Sequence, residues 1–202
     1  DAYGKPLVPA QVVEFPEMGV DNAPRADTVL ISEIYPGVKG QGAFIELYGP
    51  PGYNLSGHRL YEIWPDGSNG LVTGQGVIVF GDERIDESGL FVVSGAGGPA
   101  ADHMDEALAS FFKAGQSQWP AKELPNSLIL DIPGYDSAFD AVGYGDFDSM
   151  GYTFQGQGHP APAIPQGYSL IRDFGNTSAR DNRLDFILAA PSPRSSRLIP
   201  AQ

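Results

Sequence analysis

The chain has 202 residues, a net charge of −13 and no cysteine. A chain of this length buries a core without metal or disulfide staples, and the missing cysteine removes disulfides, thiolate metal sites and cysteine nucleophiles together. The acidity argues against a nucleic-acid backbone as partner, because Lys and Arg must displace its counterions, and no apolar run reaches the ~18 residues that cross a bilayer.

Glycine (26 residues) and proline (18) are spread along the whole chain. Turn formers therefore separate short β-rich runs, the pattern of an all-β sandwich or barrel. Residues 1–27 read as an extended arm, since its prolines leave only Gln11 to Phe15 as a β-like run. Residues 28–202 read as one domain. "TVLISEIYP" and "AFIELYG", separated by the turn-forming "GVKGQG", predict an antiparallel pair. Strand alternation puts Ile31, Glu33 and Tyr35 on one side of the first, and Phe44, Glu46 and Tyr48 on one side of the second. "HRLYEIW", "GVIVFGD" and "GLFVVSG" are the next strands, and "NSLILDIPG", "FDAVGYGD", "GYSLIRD" and "DFILA" follow. One segment has another period. "ADHMDEALASFFKAG", 101–115, spaces Met104, Leu108, Phe111 and Phe112 as on a helix, and predicts one amphipathic helix inserted between strands with its apolar stripe on the sandwich. The last 31 residues carry five arginines, Arg172, Arg180, Arg183, Arg194 and Arg197, against three acids, and are expected to pair with the acidic body.

The order of these motifs resembles the lamin tail domain family. "VLISEIYPG" is similar to its opening strand, "AFIELYGP" to its second strand, and "NLSGHRL" to the turn that follows, with Asn54 and His58 where the family usually has Asp and Trp. "GVIVFGD", "LPNSLILDIPGYDSAFDAVGYGD" and "YSLIRDFGNTSARDNRLDFILAAPSPRSS" resemble later segments in the same order. The resemblance implies an immunoglobulin-like β-sandwich, here with one inserted α-helix, of the kind found in bacterial secreted and surface proteins. It also implies that Glu33 and Glu46 are structural, because family members carry these acids without a shared activity.

The residues that bear chemistry are few. Glu33 and Glu46 on paired strands could act as an acid/base couple if one pKa were raised; the alternative is that each accepts hydrogen bonds from a loop backbone or pairs with an arginine such as Arg172. His58, His103 and His159 stand beside no nucleophile-elbow pattern and show no zinc-ligand spacing. The Gly-rich "SGAGGPA" lacks the Lys and Ser/Thr of a Walker loop and reads as a lead into the helix. Calcium is the best ligand hypothesis: Asp131, Asp136, Asp140, Asp146 and Asp148 crowd into "DIPGYDSAFD" and "GDFDSMG", oxygen-rich as hard cations require but out of EF-hand register. Asn176, Asp181 and Asn182 in "GNTSARDN" share that ambiguity. Tyr53, Trp64, Tyr152 and Phe154 are candidate anchors for a protein or surface-polymer partner, and Trp119 is expected to be buried.

The chain is thus expected to be a non-enzymatic binding or scaffolding module, secreted or surface-associated. The alternatives are a calcium-stabilised extracellular adhesion or assembly module, and a hydrolase or hydrolase-accessory domain.

Overall fold

The computed structural model describes residues 29–37, 42–64, 76–106, 108–112, 125–134, 138–148, 154–173 and 178–195. The N-terminal arm, Asp136, Tyr152, Trp119 and Asn176 lie outside them. Among the described residues, ten strands form two sheets. The first holds six strands in the order β10-β9-β1-β2-β5-β6: β1 is Leu30–Tyr35, β2 Phe44–Tyr48, β5 Leu90–Ser94, β6 His103–Met104, β9 Ser169–Arg172 and β10 Phe186–Ala189. The second holds four in the order β4-β3-β7-β8: β3 is Arg59–Ile63, β4 Val77–Val79, β7 Asn126–Asp131 and β8 Asp140–Tyr144. Two single-turn helices, α1 (Leu108–Phe111) and α2 (Asn182–Asp185), complete the described structure. The chain is therefore mostly β in two packed layers, as the spacing of its turn formers predicts.

The core lies between the sheets. Ile34, Ile45, Leu47, Phe91, Val93 and Leu170 meet Leu60, Ile78, Leu128, Leu130 and Val142 there. These side chains recur every second residue along their strands, so each strand turns one row inward. In β1 that alternation is interrupted. The β1–β2 register shifts between Ile31 and Glu33, so Ile31 joins the core with Ile34, while Glu33 takes the other side opposite Glu46. Unbroken alternation would put Ile31 and Glu33 on one side; the bulge separates them.

The segment 101–115 also departs from its pattern. His103 and Met104 form β6, parallel to β5 through Val93↔His103 and Ser94↔Met104. The Asp102 carboxylate accepts the Val92 N–H at 2.8 Å, and the Asp102 and Asp105 N–H groups donate to the Val92 and Ser94 carbonyls. This pairing captures the backbone that a helix needs, and tertiary contact overrides the local period. Met104, expected on the buried stripe, is 62% exposed, whereas Leu108, Phe111 and Phe112 do pack inward. The "SGAGGPA" loop before β6 turns back on itself: a Cβ on Gly98 would sit 2.0 Å from Ser94 Oγ and 3.1 Å from the Ala43 carbonyl oxygen. Its glycine thus answers to close packing.

Candidate functional site

Four polar clusters interrupt the apolar sandwich, and their geometry decides what each can do. The deepest joins the two sheets. Arg172 at the end of β9 is fully buried; it donates from Nη2 to Asp140 Oδ2 at 2.5 Å, from Nη1 to Asp185 Oδ2 at 2.9 Å and from Nε to the Ile31 carbonyl at 2.9 Å. The Ile31 N–H donates in turn to Asp140 Oδ2 at 2.8 Å. The β1–β9 ladder spans Glu33↔Ile171 and Ile34↔Leu170, and side chains from both sheets take over where it stops. Arg172 also lies over the Phe186 ring, 4.4 Å from its centroid. Asp185 is satisfied by the Ala179 N–H and the Ser178 hydroxyl as well. Burial raises its pKa, Arg172 lowers it, and the net shift is upward. Every donor and acceptor aims at structure, so this cluster is a tie between layers.

The second cluster is the Glu33–Glu46 pair. The two are register partners on β1 and β2, 1% and 2% exposed, and face away from the core side chains Ile45 and Leu47. The C-terminal segment after β10 closes over them. Ser192 donates its N–H to Glu33 Oε1 at 2.9 Å and its hydroxyl to Oε2 at 3.2 Å, and the Arg194 N–H donates to Glu46 Oε2 at 2.6 Å. The Ser32 hydroxyl completes the set at 3.4 Å. Burial pushes Glu46 up to about 7; the Arg194 N–H pulls it down and the Glu33 charge pushes it further up. Both carboxylates are thus occupied by loop backbone, the second of the two arrangements that the sequence left open.

The third cluster escaped the sequence reading. Glu62 on β3 is 1% exposed and pairs with Leu128 on the inner face, one inward row along from the row that holds Asp140. It accepts from Trp64 Nε1 at 2.6 Å and from Asn126 Nδ2, while Asn126 also donates to the Phe111 carbonyl at 3.3 Å. Burial raises Glu62 to about 8 against the hydrogen bonds of Asn126 and Trp64, and burial beside Glu62 raises the Tyr144 phenol as well. The signal was in "HRLYEIW": Leu60 and Glu62 share one face of the strand, so the rule that puts Leu60 in the core puts Glu62 there too.

The fourth is Asn182 on α2, 0% exposed. Its Oδ1 accepts the N–H groups of Gly143 at 2.9 Å and Gln157 at 3.1 Å, and its Nδ2 donates to the Ala141 carbonyl. It fastens the segment after Phe154 to β8. Nothing in the sequence marks an Asn in "GNTSARDN" as that hub.

The histidines are separate from one another. His58 is buried between Tyr53 and Phe139, with Nδ1 at 3.0 Å from the Leu55 carbonyl and Nε2 at 3.3 Å from the Tyr53 hydroxyl; burial lowers its pKa. His103 lies between Glu83, 2.8 Å from Nδ1, and Asp105, 3.5 Å from Nε2. His159 projects into solvent with Nδ1 2.7 Å from Asp181, the N-cap of α2.

Of the five aspartates gathered for calcium, Asp131 is held by Arg59 at 2.8 and 2.7 Å, and Asp140 by Arg172. Asp148 is exposed, and Asp146 lies at the end of β8. Among the described residues no three acid or histidine side chains converge as a cation site. The candidate anchors are also dispersed. Tyr53 packs against the core, Trp64 bonds Glu62, and Phe154 lies edge-on to Phe147 at 5.1 Å. Among the described residues the exposed large apolar side chains are others: Val79 and Met104 stand apart, whereas Tyr168, Leu184, Ile187 and Leu188 follow the β9–β10 edge. No described helix is long and apolar enough to cross a membrane. No family model, no curated protein and no solved structure matches the chain.

Proposed function

We propose that this chain is a non-enzymatic binding module, secreted or surface-associated, that takes an extended segment of a partner protein on the β10 edge of its six-stranded sheet. The observation that carries the reading is the contrast between β10 and the other sheet edges. Edge strands are usually blunted by shortness, charge or cover. β6 has two residues, and Asp102 and Asp105 flank it. β4 has three. β8 is covered, since Ala161 bridges Tyr144 and Asn182 bonds Gly143 and Ala141. β10 reads Phe-Ile-Leu-Ala, with Ile187 38% and Leu188 37% exposed and Leu184 at 70% beside it. Because Asp173 donates to the Asp185 carbonyl and Ile187 pairs with Ile171, alternation turns the N–H and C=O of Leu188 away from β9. An added strand would bond there and rest its alternate side chains on this apolar strip.

The net charge of −13 acts at long range and disfavours a second copy, although the segment that holds β10 is itself basic, with Arg180 and Arg183 exposed beside α2. Two copies repel one another, and a segment with Lys or Arg between its apolar residues is attracted. The resemblance of the strand motifs to lamin tail domains supports the binding class and the extracellular setting. The test is an NMR titration with a short synthetic strand alternating valine and lysine. Amide shifts centred on Leu188, weakened by salt and lost in Ile187→Lys, are the expected result. Shifts elsewhere, none at all, or a salt-insensitive dimer of the chain would overturn the reading.

A further inference from the structure

The C-terminal segment rests on a charge arrangement that depends on a proton. Like charges directly opposite on paired strands destabilise a sheet, and burial opposes ionisation of each carboxyl. Glu33 and Glu46 are register partners and almost fully covered, and burial is the largest cause that raises Glu46. Their cover is Ser192–Arg194, anchored by the Ser192 and Arg194 N–H groups on the two carboxyls. Arg194 adopts φ 59°, which is uncommon for a residue with a side chain. Its guanidinium reaches Asp86 at 3.0 Å and Asp102 at 2.7 Å.

We propose that Ser192–Arg194 is a pH-sensitive strap: it lies closed over Glu33 and Glu46 while that pair holds one proton, and it lifts as the pair becomes fully ionised. Among the described residues, the groups that face Glu46 are few. On β1 they are Glu33 and the neutral Ser32 hydroxyl, and from the strap Arg194. On β5 the register partner of Glu46 is Val92, and on β9 that of Glu33 is Ile171, neither of them charged. Asp86 and Asp102 act on the strap through Arg194. Asp86 is held below the ordinary carboxylate range, the hydrogen bonds of Ser88 and Leu90 and the Arg194 charge outweighing its burial, so it is already ionised where Glu46 titrates.

The direction follows from where the proton binds. With the strap closed, burial holds Glu46 up to about 7; with it lifted, water reaches the carboxyl and its affinity for a proton drops toward the ordinary value of 4.5. Closing therefore takes up a proton between those values. The strap is tightest in mild acid, loosens as pH rises toward 7, and changes no further above it.

Residue-resolved amide exchange from pH 5 to 8, normalised to the exchange of an unstructured peptide of the same sequence, tests this on the full chain. Protection at Ser192 and Arg194 should fall by up to about tenfold per pH unit below 7, the dependence of an opening that releases one proton, and then level off. The Leu47 amide, in the adjacent ladder, should stay more protected throughout. Glu46→Gln should flatten the profile and keep the strap closed at pH 8. Glu33→Gln, which removes the charge that raises Glu46, should make the fall smaller and level it off at lower pH. Flat protection in the wild type, an unchanged slope in Glu46→Gln, or protection at Ser192 and Arg194 equal to that of Leu47 would each overturn the proposal, the last because the strap would then open only with the whole sheet.

Discussion

The Arg172 guanidinium reaches the Asp140 carboxylate at 2.5 Å with neither side chain exposed to solvent, and since β9 and β8 belong to different sheets, this contact ties the two layers together. A buried pair is stabilising only while its partners are complete. Arg172→Met leaves Asp140 and Asp185 buried without a counter-charge, and should cost about 3–5 kcal/mol, a large share of the roughly 5–15 kcal/mol typical of a domain. The double variant Arg172→Met with Asp140→Leu should recover only part of that, because the Ile31 N–H and C=O also lose their partners. Urea unfolding at pH 7 checks both; a loss below about 1 kcal/mol for Arg172→Met would mean that water reaches the carboxylates and the tie is dispensable.

Glu62 gives the fold a pH dependence of definite sign. Its carboxyl is raised from 4.5 to about 8, first by burial. Between those values the folded chain keeps a proton that the unfolded chain has released, so unfolding free energy falls as pH rises. The slope from this one group is about 1.4 kcal/mol per pH unit in mid-window, and Glu46 adds to it below 7. The depressed carboxyls of Glu83, Asp86 and Asp181 act in the opposite sense below the ordinary carboxylate range, and the depressed His58 opposes it inside the window up to its ordinary value of 6.5, one group against the two of Glu62 and Glu46. Denaturant unfolding at pH 5, 6, 7 and 8 should show a steady decline, smaller in Glu62→Gln. Stability that rises over this range would contradict the assignment.

The strands were legible because each is a short run between turn formers, either apolar at every second residue or, as in β5, apolar almost throughout. The rule carried Leu60, Ile78, Leu128 and Leu170 to the core without knowledge of their neighbours. It failed where partners distant in sequence intervene. The bulge that separates Ile31 from Glu33 is satisfied by Asp140 and Arg172, 109 and 141 residues away. Likewise the helical spacing of Met104 and Leu108 lost to the Val92 backbone. Closeness in sequence did not show the partners of the acids either: Asp131 meets Arg59 on β3 and Asp140 meets Arg172 on β9.

Phe154 packs as a wedge against β8. Gly143 on β8 lies so close beneath its ring that an added Cβ would fall 2.3 and 2.7 Å from two ring carbons and 3.0 Å from the Gln155 carbonyl oxygen. Gly143→Ala should therefore push the ring and the following segment off the sheet, at about 1–3 kcal/mol. Phe154→Ala opens room for that methyl, so in the double variant the two costs should sum to less than their separate values. Thermal unfolding of the three variants measures the coupling, and strict additivity would show that ring and glycine do not meet.

The same segment depends on Asn182, and here the chemistry can be separated from the shape. Asn182→Leu nearly keeps the volume but leaves the Gly143 and Gln157 N–H groups and the Ala141 carbonyl without their partner. Each buried unsatisfied group costs about 1–3 kcal/mol. Asn182→Asp restores both acceptors yet cannot donate to Ala141, and it adds a charge near Asp140 and Asp185 on the α2 side of the sandwich. It should be less damaging than Leu in mild acid, where the new carboxyl is neutral and can donate, and should worsen as pH rises. Unfolding of the two variants at pH 4.5 and 8 tests this: a difference between them that does not change with pH would show that residue 182 acts through packing rather than through its hydrogen bonds.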